Sequence, residues 1–268
     1  MKNHPSVALL ISTFNWPEAL DLVLSSVLKQ SMLPAEVIIA DDGSTKETRL
    51  LINSYKKVFP VSLNHIWHED NGFTKTIILN KAIAKIKSDY IIQIDGDIIL
   101  HKHFVKDHLN ACEDEIFLYG TRVTITKEKS LQLMAKKATN LNILSSGLKK
   151  RMRMLNLPFI YKNRNPDTTI TTKLRGANMS YWRKDAIEIN GYNEDFLGWG
   201  FEDYDFGQRL TFLGVMPKRL KFAGICFHLY HKKAVLENVD KGNEIQNKTI
   251  EGRVKRCENG IDKYLTGD

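Results

Sequence analysis

The chain has 268 residues, 43% of them hydrophobic and 26% charged, which excludes wholesale disorder and is ample for one continuous core. Lys and Arg exceed Asp and Glu by 39 − 31 = 8, a balance that favours an anionic partner such as nucleic acid, a phosphate-rich substrate or an acidic membrane surface. No apolar run approaches the roughly 18 residues of a membrane span, no apolar signal core follows Met1 to Pro5, and three scattered cysteines (Cys112, Cys226, Cys257) without a CxxC fit a reducing compartment better than a disulfide framework or zinc ribbon.

Val7 to Ile11 is a short continuous apolar run, as expected of a strand buried on both faces. Pro17 suits the first turn of a helix, and Leu20, Val23, Leu24, Val27 and Leu28 fall on one face behind it. Glu36 to Ala40 reads as a second buried strand that ends in Asp41-Asp42-Gly43-Ser44. A helix is predicted from Lys46 to Lys57, a third strand from Leu63 to Trp67, and a helix from Thr74 to Lys87 with Ile78, Ala82 and Ile86 in one row. Tyr90 to Ile94 is a fourth strand, ending in Asp95-Gly96-Asp97. This β-α-β-α order predicts a mostly parallel sheet flanked by helices, with ligands bound beyond the carboxyl ends of the strands. The polar clusters Ser12 to Asn15, Asp41 to Ser44 and Asp95 to Asp97 stand at those ends.

The middle, residues 126–172, is basic with interleaved apolar residues: Lys149-Lys150-Arg151-Met152-Arg153-Met154-Leu155 and Leu157-Pro158-Phe159-Ile160. A solvated helix with a partly mobile loop accounts for it, as does a patch for a membrane surface or an acceptor phosphate. Organisation returns after Leu174. Arg175 to Ser180 reads as a turn entering a strand or helix, and Gly191 to Glu194 as a turn. Phe196 to Asp205 leads into a helix with Phe206, Leu210 and Leu213 inward and Gly214 as its cap. Phe222 to Phe227 is a strand, followed by His228-Leu229-Tyr230-His231, and the polar tail from Lys232 is helical in part.

Asp95-Gly96-Asp97 places two carboxylates at i and i+2 after a buried strand. Hard cations such as Mg²⁺ or Mn²⁺ take oxygen ligands and keep one or two carboxylates alongside substrate phosphates. An isolated Asp-x-Asp is equally a turn, but its place at a strand end points to a metal-bound diphosphate. Asp41 and Asp42 fit either a turn with a helix cap or an acceptor for a base N–H or ribose hydroxyl. Mn²⁺ accepts an imidazole beside carboxylates, so His228 is the expected further ligand, with His231 as its competitor. Glu202 and Asp203 lie at the mouth of a helix, which favours ionised carboxylates, and one of them can act as a general base. Gly198 and Gly200 let backbone approach a ligand, and Trp199 offers an apolar face to a sugar ring.

Together these stretches resemble the inverting glycosyltransferases of family 2, with the nucleotide-sugar-binding GT-A fold. The matching residues are Val7 to Asn15, Val37 to Ser44, Asn71-Gly72 with Asn80, and Ile94 to Asp97. Gly176 to Ser180 and Gly198 to Asp203 resemble a galactosyltransferase-type second half. The resemblance implies a Rossmann-like central sheet and a C-terminal acceptor-side subregion. It divides the chain into a nucleotide-sugar half (1–125), the basic insertion (126–172), an acceptor and catalytic half (173–231) and a tail (232–268). It implies that Ser12, Thr13 and Asn15 line the nucleotide, that Asp41 or Asp42 contacts uracil or ribose, and that Lys75 lies near the nucleotide. Asp95 and Gly176 would be on the donor, Asp97 and His228 on the metal. Asp203 would be the base, with Glu202 and Trp199 beside the sugars. Two departures stand out: Ser12 replaces a commoner Pro, and Phe201 stands where Gly is frequent.

The implied chemistry is Mn²⁺- or Mg²⁺-dependent transfer of a hexose or N-acetylhexosamine, of the galactose or N-acetylgalactosamine type, from a UDP-sugar to a glycan or lipid-linked glycan, in surface polysaccharide synthesis. The expected location is cytoplasmic, with Lys149, Lys150, Arg151 and Arg153 able to touch an anionic membrane face. A nucleotidyltransferase is the alternative enzyme, but no phosphate-cradling GxxxxGK[ST] loop follows Val7 to Ile11. A non-catalytic module binding a nucleotide-sugar or polyanion is the other alternative, and it leaves the base-type acid unexplained. No nucleic-acid motif accompanies the charge.

Overall fold

The computed structural model describes residues 4–157, 159–160, 164–168, 174–198, 200–232 and 239–265. Its centre is a seven-stranded sheet in which β10 (Met216–Arg219), β6 (Ile116–Tyr119), β9 (Met179–Trp182), β4 (Tyr90–Asp95), β1 (Val7–Thr13), β2 (Glu36–Asp41) and β3 (Ser62–Trp67) lie side by side in that order. Strands β1 (Val7–Thr13), β2 (Glu36–Asp41) and β4 (Tyr90–Asp95) are the apolar runs of the sequence, and side chains on both their faces are buried. Alternate residues feed two separate cores. Ala8, Leu10, Ile38, Ala40 and Ile91 face one side, where Ile78, Leu79, Ala82 and Ile83 of helix α3 (Lys75–Lys85) cover them. Val7, Leu9, Ile11, Val37 and Ile39 face the other, under Leu20, Val23, Leu24 and Val27 of helix α1 (Pro17–Val27). Each fully buried aliphatic side chain contributes about 1.5–3 kcal/mol by leaving water, so this double burial fixes the strand register.

β1 pairs in parallel with β2 and β4, with Thr13 opposite Asp41 and Ser12 opposite Asp95. The polar clusters at the carboxyl ends are therefore level with one another. Helices α2 (Lys46–Lys56) and α3 and strand β3 (Ser62–Trp67) lie where periodicity puts them, except that α3 stops two residues early, at an extended Ile86.

Two features depart from the sequence pattern. The segment after Gly176 becomes β9 (Met179–Trp182), which runs antiparallel between β4 and β6 (Ile116–Tyr119) in the middle of the sheet. A four-stranded second sheet, of order β5-β11-β7-β8, stands beside the first. It is made of β5 (Ile98–Leu100), β7 (Arg122–Ile125), β8 (Leu148–Lys149) and β11 (Cys226–His228). The turn expected at Arg175 to Ser180 does enter a strand, and the strand expected over Phe222 to Phe227 is confined to Cys226–His228; what periodicity could not give is the pairing, because strands of two to four residues offer no alternation to count. β8 belongs to the basic insertion. That insertion also forms the helix Lys127–Lys136, capped by the Thr126 side chain, with Leu133 and Leu148 in the core beside Ile125.

The tail is part of the core rather than an appendage. Its helix Val239–Glu251 sends Thr249 to donate to Asp205 Oδ1 at 2.8 Å. Asp205 Oδ2 accepts from Arg209 Nε at 2.7 Å, and Arg209 Nη1 donates to the Ile189 carbonyl at 2.6 Å. Asp205 and Arg209 are both wholly buried within the helix Glu202–Leu213. Removing one partner of a buried pair strands the other charge, which typically costs about 3–5 kcal/mol. Asp205→Ala is expected to lose that much stability in urea denaturation, and Thr249→Val substantially less.

Candidate active site

The parallel register of β1 and β4 sets the first contact. Ser12 Oγ donates to Asp95 Oδ1 at 2.9 Å, and Lys75 Nζ donates to the same oxygen at 3.0 Å. Lys75 is the first residue of α3, and its ammonium also lies 3.9 Å from Glu202 Oε1. Burial pulls the Lys75 pKa down, but Asp95, Asp203 and Glu202 around it outweigh that and raise it. Burial likewise pushes Asp95 up, and Lys75 more than reverses the effect, so Asp95 is held below the usual carboxylate range. Glu202 is buried, and its Oε2 accepts the Gly200 N–H at 2.9 Å. Gly200 has a φ of +138°, a conformation that only glycine adopts easily. Burial, and then the neighbouring Asp203, push the Glu202 pKa up to about 7, against the partial opposition of Lys75.

Asp203 Oδ2 accepts the Gly176 N–H at 2.7 Å. A Cβ on residue 176 would lie 2.3 Å from Asp203 Oδ1 and 2.7 Å from Gln93 Nε2. Gly176, expected on the donor, is thus also the residue whose missing side chain lets Asp203 close onto the backbone. The Phe201 ring, the departure from the family pattern, packs on Gly242 of the tail helix. Trp199 lies outside the described residues.

The second sheet supplies the other end of the site. β11 pairs antiparallel with β5, with His228 opposite Ile98, so the imidazole meets Asp97 just before β5 begins. Asp97 Oδ2 lies 3.1 Å from His228 Nε2 and 3.4 Å from His231 Nε2. The two Nε2 atoms are 3.3 Å apart. His228 and His231 were posed as competitors, and the structure brings both to Asp97, with donor atoms of all three within 4.8 Å of one another. The Asp97 Oδ1 atom is buried with no hydrogen-bond partner. A carboxylate oxygen left bare beside two converging imidazole nitrogens fits a divalent transition ion, which takes mixed N and O ligands. Asp97, His228 and His231 are the residues that would hold it.

The residues expected near a nucleotide behave differently. Ser12 and Thr13 are nearly buried at the end of β1. Asn15, at a φ of +44°, donates its N–H to Ser44 Oγ (2.8 Å), and its Oδ1 accepts the Thr45 N–H (2.8 Å). Asp41 is fully buried, with Oδ1 on the Ser44 N–H and Oδ2 2.8 Å from His65 Nε2. Asp42 Oδ1 contacts His68 Nε2 at 2.8 Å and Thr74 Oγ1 at 2.7 Å, and its Oδ2 accepts the Thr74 N–H at 3.0 Å. Asp41 and Asp42, one or other of which was expected on uracil or ribose, are both engaged by the protein and tie the loop before α2 to β3 and to the loop before α3. Sequence reasoning missed His65, His68 and the buried Gln93, Tyr181 and Tyr192. A histidine on an edge strand or a polar residue inside an apolar run carries no signal until its partners are known.

In the basic run, Arg151 donates to the carbonyls of Leu148 and Ile143, and Arg153 to that of Arg122. Lys149 and Lys150 line a cleft of about 730 Å³ that continues from His228 and His231 past Thr124, Thr126 and Lys127.

Residues 8–186 match the family model described as glycosyl transferase family 2. The chain belongs to glycosyl transferase family 2. Residues 166–232 also match the model described as the N-terminal domain of galactosyltransferase. A chondroitin synthase of Pasteurella multocida is 25% identical over 250 residues, which is 83% of this chain and 24% of the synthase. The chain therefore spans about a quarter of that relative's length. Staphylococcus aureus TarS superposes with a TM-score of 0.64 at 14% identity, over 97% of this chain and 69% of the other. A Pyrobaculum calidifontis mannosyltransferase in complex with GDP-Man and Mn²⁺ superposes with a TM-score of 0.59 at 13% identity, over 92% of this chain and 62% of the other. The architecture, with its mixed central sheet and flanking helices, is the GT-A fold.

A Glu202 pKa raised from 4.5 to about 7 means the folded state holds a proton that the unfolded chain releases. Its contribution is intact below about pH 4.5 and is lost as pH rises through 7. Glu202→Gln removes this dependence. The melting temperature of the parent is expected to fall relative to that of the variant across this window in parallel thermal scans.

Proposed function

We propose that this family 2 chain is a metal-dependent inverting transferase that moves a hexose or N-acetylhexosamine from a UDP-sugar to a hydroxyl of a glycan. The reading rests on the Asp97–His228–His231 cluster standing two residues along the chain from Asp95, which Lys75 links to Glu202 beside Asp203. One end suits a departing diphosphate and the other suits an incoming alcohol. In this reading Ser12, Thr13 and Asn15 line the nucleotide, while Asp41 and Asp42 shape that end of the cleft through His65, His68 and Thr74. The match of residues 166–232 to a galactosyltransferase model supports a galactose or N-acetylgalactosamine donor. Similarity to a chondroitin synthase supports a surface-polysaccharide acceptor. With Arg151 and Arg153 turned onto carbonyls, Lys149 and Lys150 are the residues of the basic run available to an anionic membrane face.

Asp203 takes the proton of the acceptor hydroxyl while that oxygen bonds to the anomeric carbon. The bond from that carbon to the diphosphate breaks on the opposite face, and its electron pair leaves with UDP. A positioned base contributes about 10²–10⁴-fold. A divalent ion on Asp97, His228 and His231 would neutralise the departing diphosphate, worth several kcal/mol. Lys75 keeps Asp95 and the Glu202–Asp203 pair from repelling one another, and Glu202 holds the turn that presents Asp203.

Two outcomes test this. In a donor screen read by UDP release, Asp203→Asn is expected to lower turnover by about 10²–10⁴-fold while calorimetry still detects UDP binding. Turnover at the parent rate would remove Asp203 from the role. Asp97→Ala is expected to abolish Mn²⁺ binding measured by electron paramagnetic resonance, and full binding would remove Asp97 from the metal.

A further inference from the structure

Beneath Asp203 lies a polar network that the steps above do not use. Tyr181, Gln93 and Tyr192 are completely buried. The Tyr181 hydroxyl donates to Gln93 Oε1 at 2.8 Å, and Gln93 Nε2 donates to the Tyr192 hydroxyl oxygen at 2.8 Å. That hydroxyl stands 3.1 Å from Gln93 Oε1 and 3.5 Å from Asp203 Oδ1. A phenol has one hydrogen to give. Gln93 Oε1 is already supplied by Tyr181, whereas the carboxylate is charged and is the stronger acceptor. Burial raises the pKa of both phenols well above the usual range, and Asp203 raises them further, so both stay protonated and able to donate.

The Tyr192 ring is not free to leave. It stacks on Phe206 at 4.4 Å and 20°. Its N–H donates to Asn80 Oδ1 and its carbonyl accepts from Asn80 Nδ2, both at 2.8 Å. Asn80 is itself fully buried in α3, the helix that carries Lys75. The groups facing Asp203 are thus Lys75 from α3, Glu202 from its own helix, the two phenols that pack on Phe206 in one core, and the Gly176 N–H.

We propose that Tyr192 is a positioning residue for Asp203, its hydroxyl aligned by Gln93 and Tyr181. The Tyr192 O–H and the Gly176 N–H each hold one carboxylate oxygen and together fix the plane of the group. A half-buried carboxylate gripped on both oxygens keeps its remaining lone pairs in one direction, as a base needs. The proposal rests on Asp203 being the base.

The test is the pH profile of kcat/KM for UDP release from UDP-galactose and UDP-N-acetylgalactosamine, with Mn²⁺ and with water as acceptor. A carboxylate that loses a donated hydrogen bond holds its proton more tightly. Tyr192→Phe, which keeps the ring stack, is expected to move the acid limb up by about 0.5–1 pH unit and lower kcat about 3–10-fold, with KM for the donor unchanged. Tyr181→Phe does not touch Asp203. It frees Gln93 Oε1 to capture the Tyr192 hydrogen, so the limb is expected to move the same way by less. Glu202 keeps its contacts with Gly200 and Lys75 in both variants. A purely structural role would lower the melting temperature and scale activity equally at every pH. Profiles of both variants that superimpose on the parent after scaling overturn the proposal, and Tyr181→Phe decides alone if Tyr192→Phe does not fold. Inactive Asp203→Asn with unshifted limbs defeats only this proposal, whereas active Asp203→Asn defeats the reading beneath it.

Discussion

A single ammonium among three carboxylates ties the site together. Lys75 touches Asp95, approaches Glu202 and feels Asp203, and it is buried among them. Charge held in so little water is tolerable only when it is paired, and Lys75 supplies the counter-charge to its acidic neighbours. The set also joins two halves of the sheet. Asp95 ends β4, Lys75 begins α3, and Glu202 begins the helix behind the antiparallel strand β9. Burial and the adjacent Asp203 leave Glu202 with a raised pKa in spite of the ammonium 3.9 Å away.

The second sheet provides what the first cannot. A chain leaving β4 could present Asp97 in many ways, but its continuation into β5 and the pairing of β5 with β11 leave Asp97 facing His228. The two short strands act as a hinge pin between residues more than a hundred positions apart. The cleft beyond His231 opens along the same sheet, so the basic insertion borders the Asp97–His228–His231 cluster rather than standing off as a separate arm.

The acidic turn residues divide by what surrounds them. Asp41 and Asp42 have both oxygens engaged by histidines, a hydroxyl or backbone N–H groups, which ties the loop before α2 to β3 and to the loop before α3. Asp97 keeps an oxygen bare, and Asp203 stays half-buried. Acids alike in a sequence thus differ in how many donors the fold brings to each.

The sequence by itself determined the apolar strands β1, β2 and β4, the amphipathic helices between them and the level at which the acids emerge. These follow from local periodicity, which buries each strand on both faces and each helix on one. It also pointed to Asp97, His228, Glu202 and Asp203 through motif spacing. Only the tertiary structure decided that β9 enters the sheet antiparallel, that His231 joins His228, that the tail anchors Asp205, and that Gln93, Tyr181 and Tyr192 gather under Asp203. Those outcomes depend on which distant segments pair, and pairing energy is spread over contacts that no local window contains.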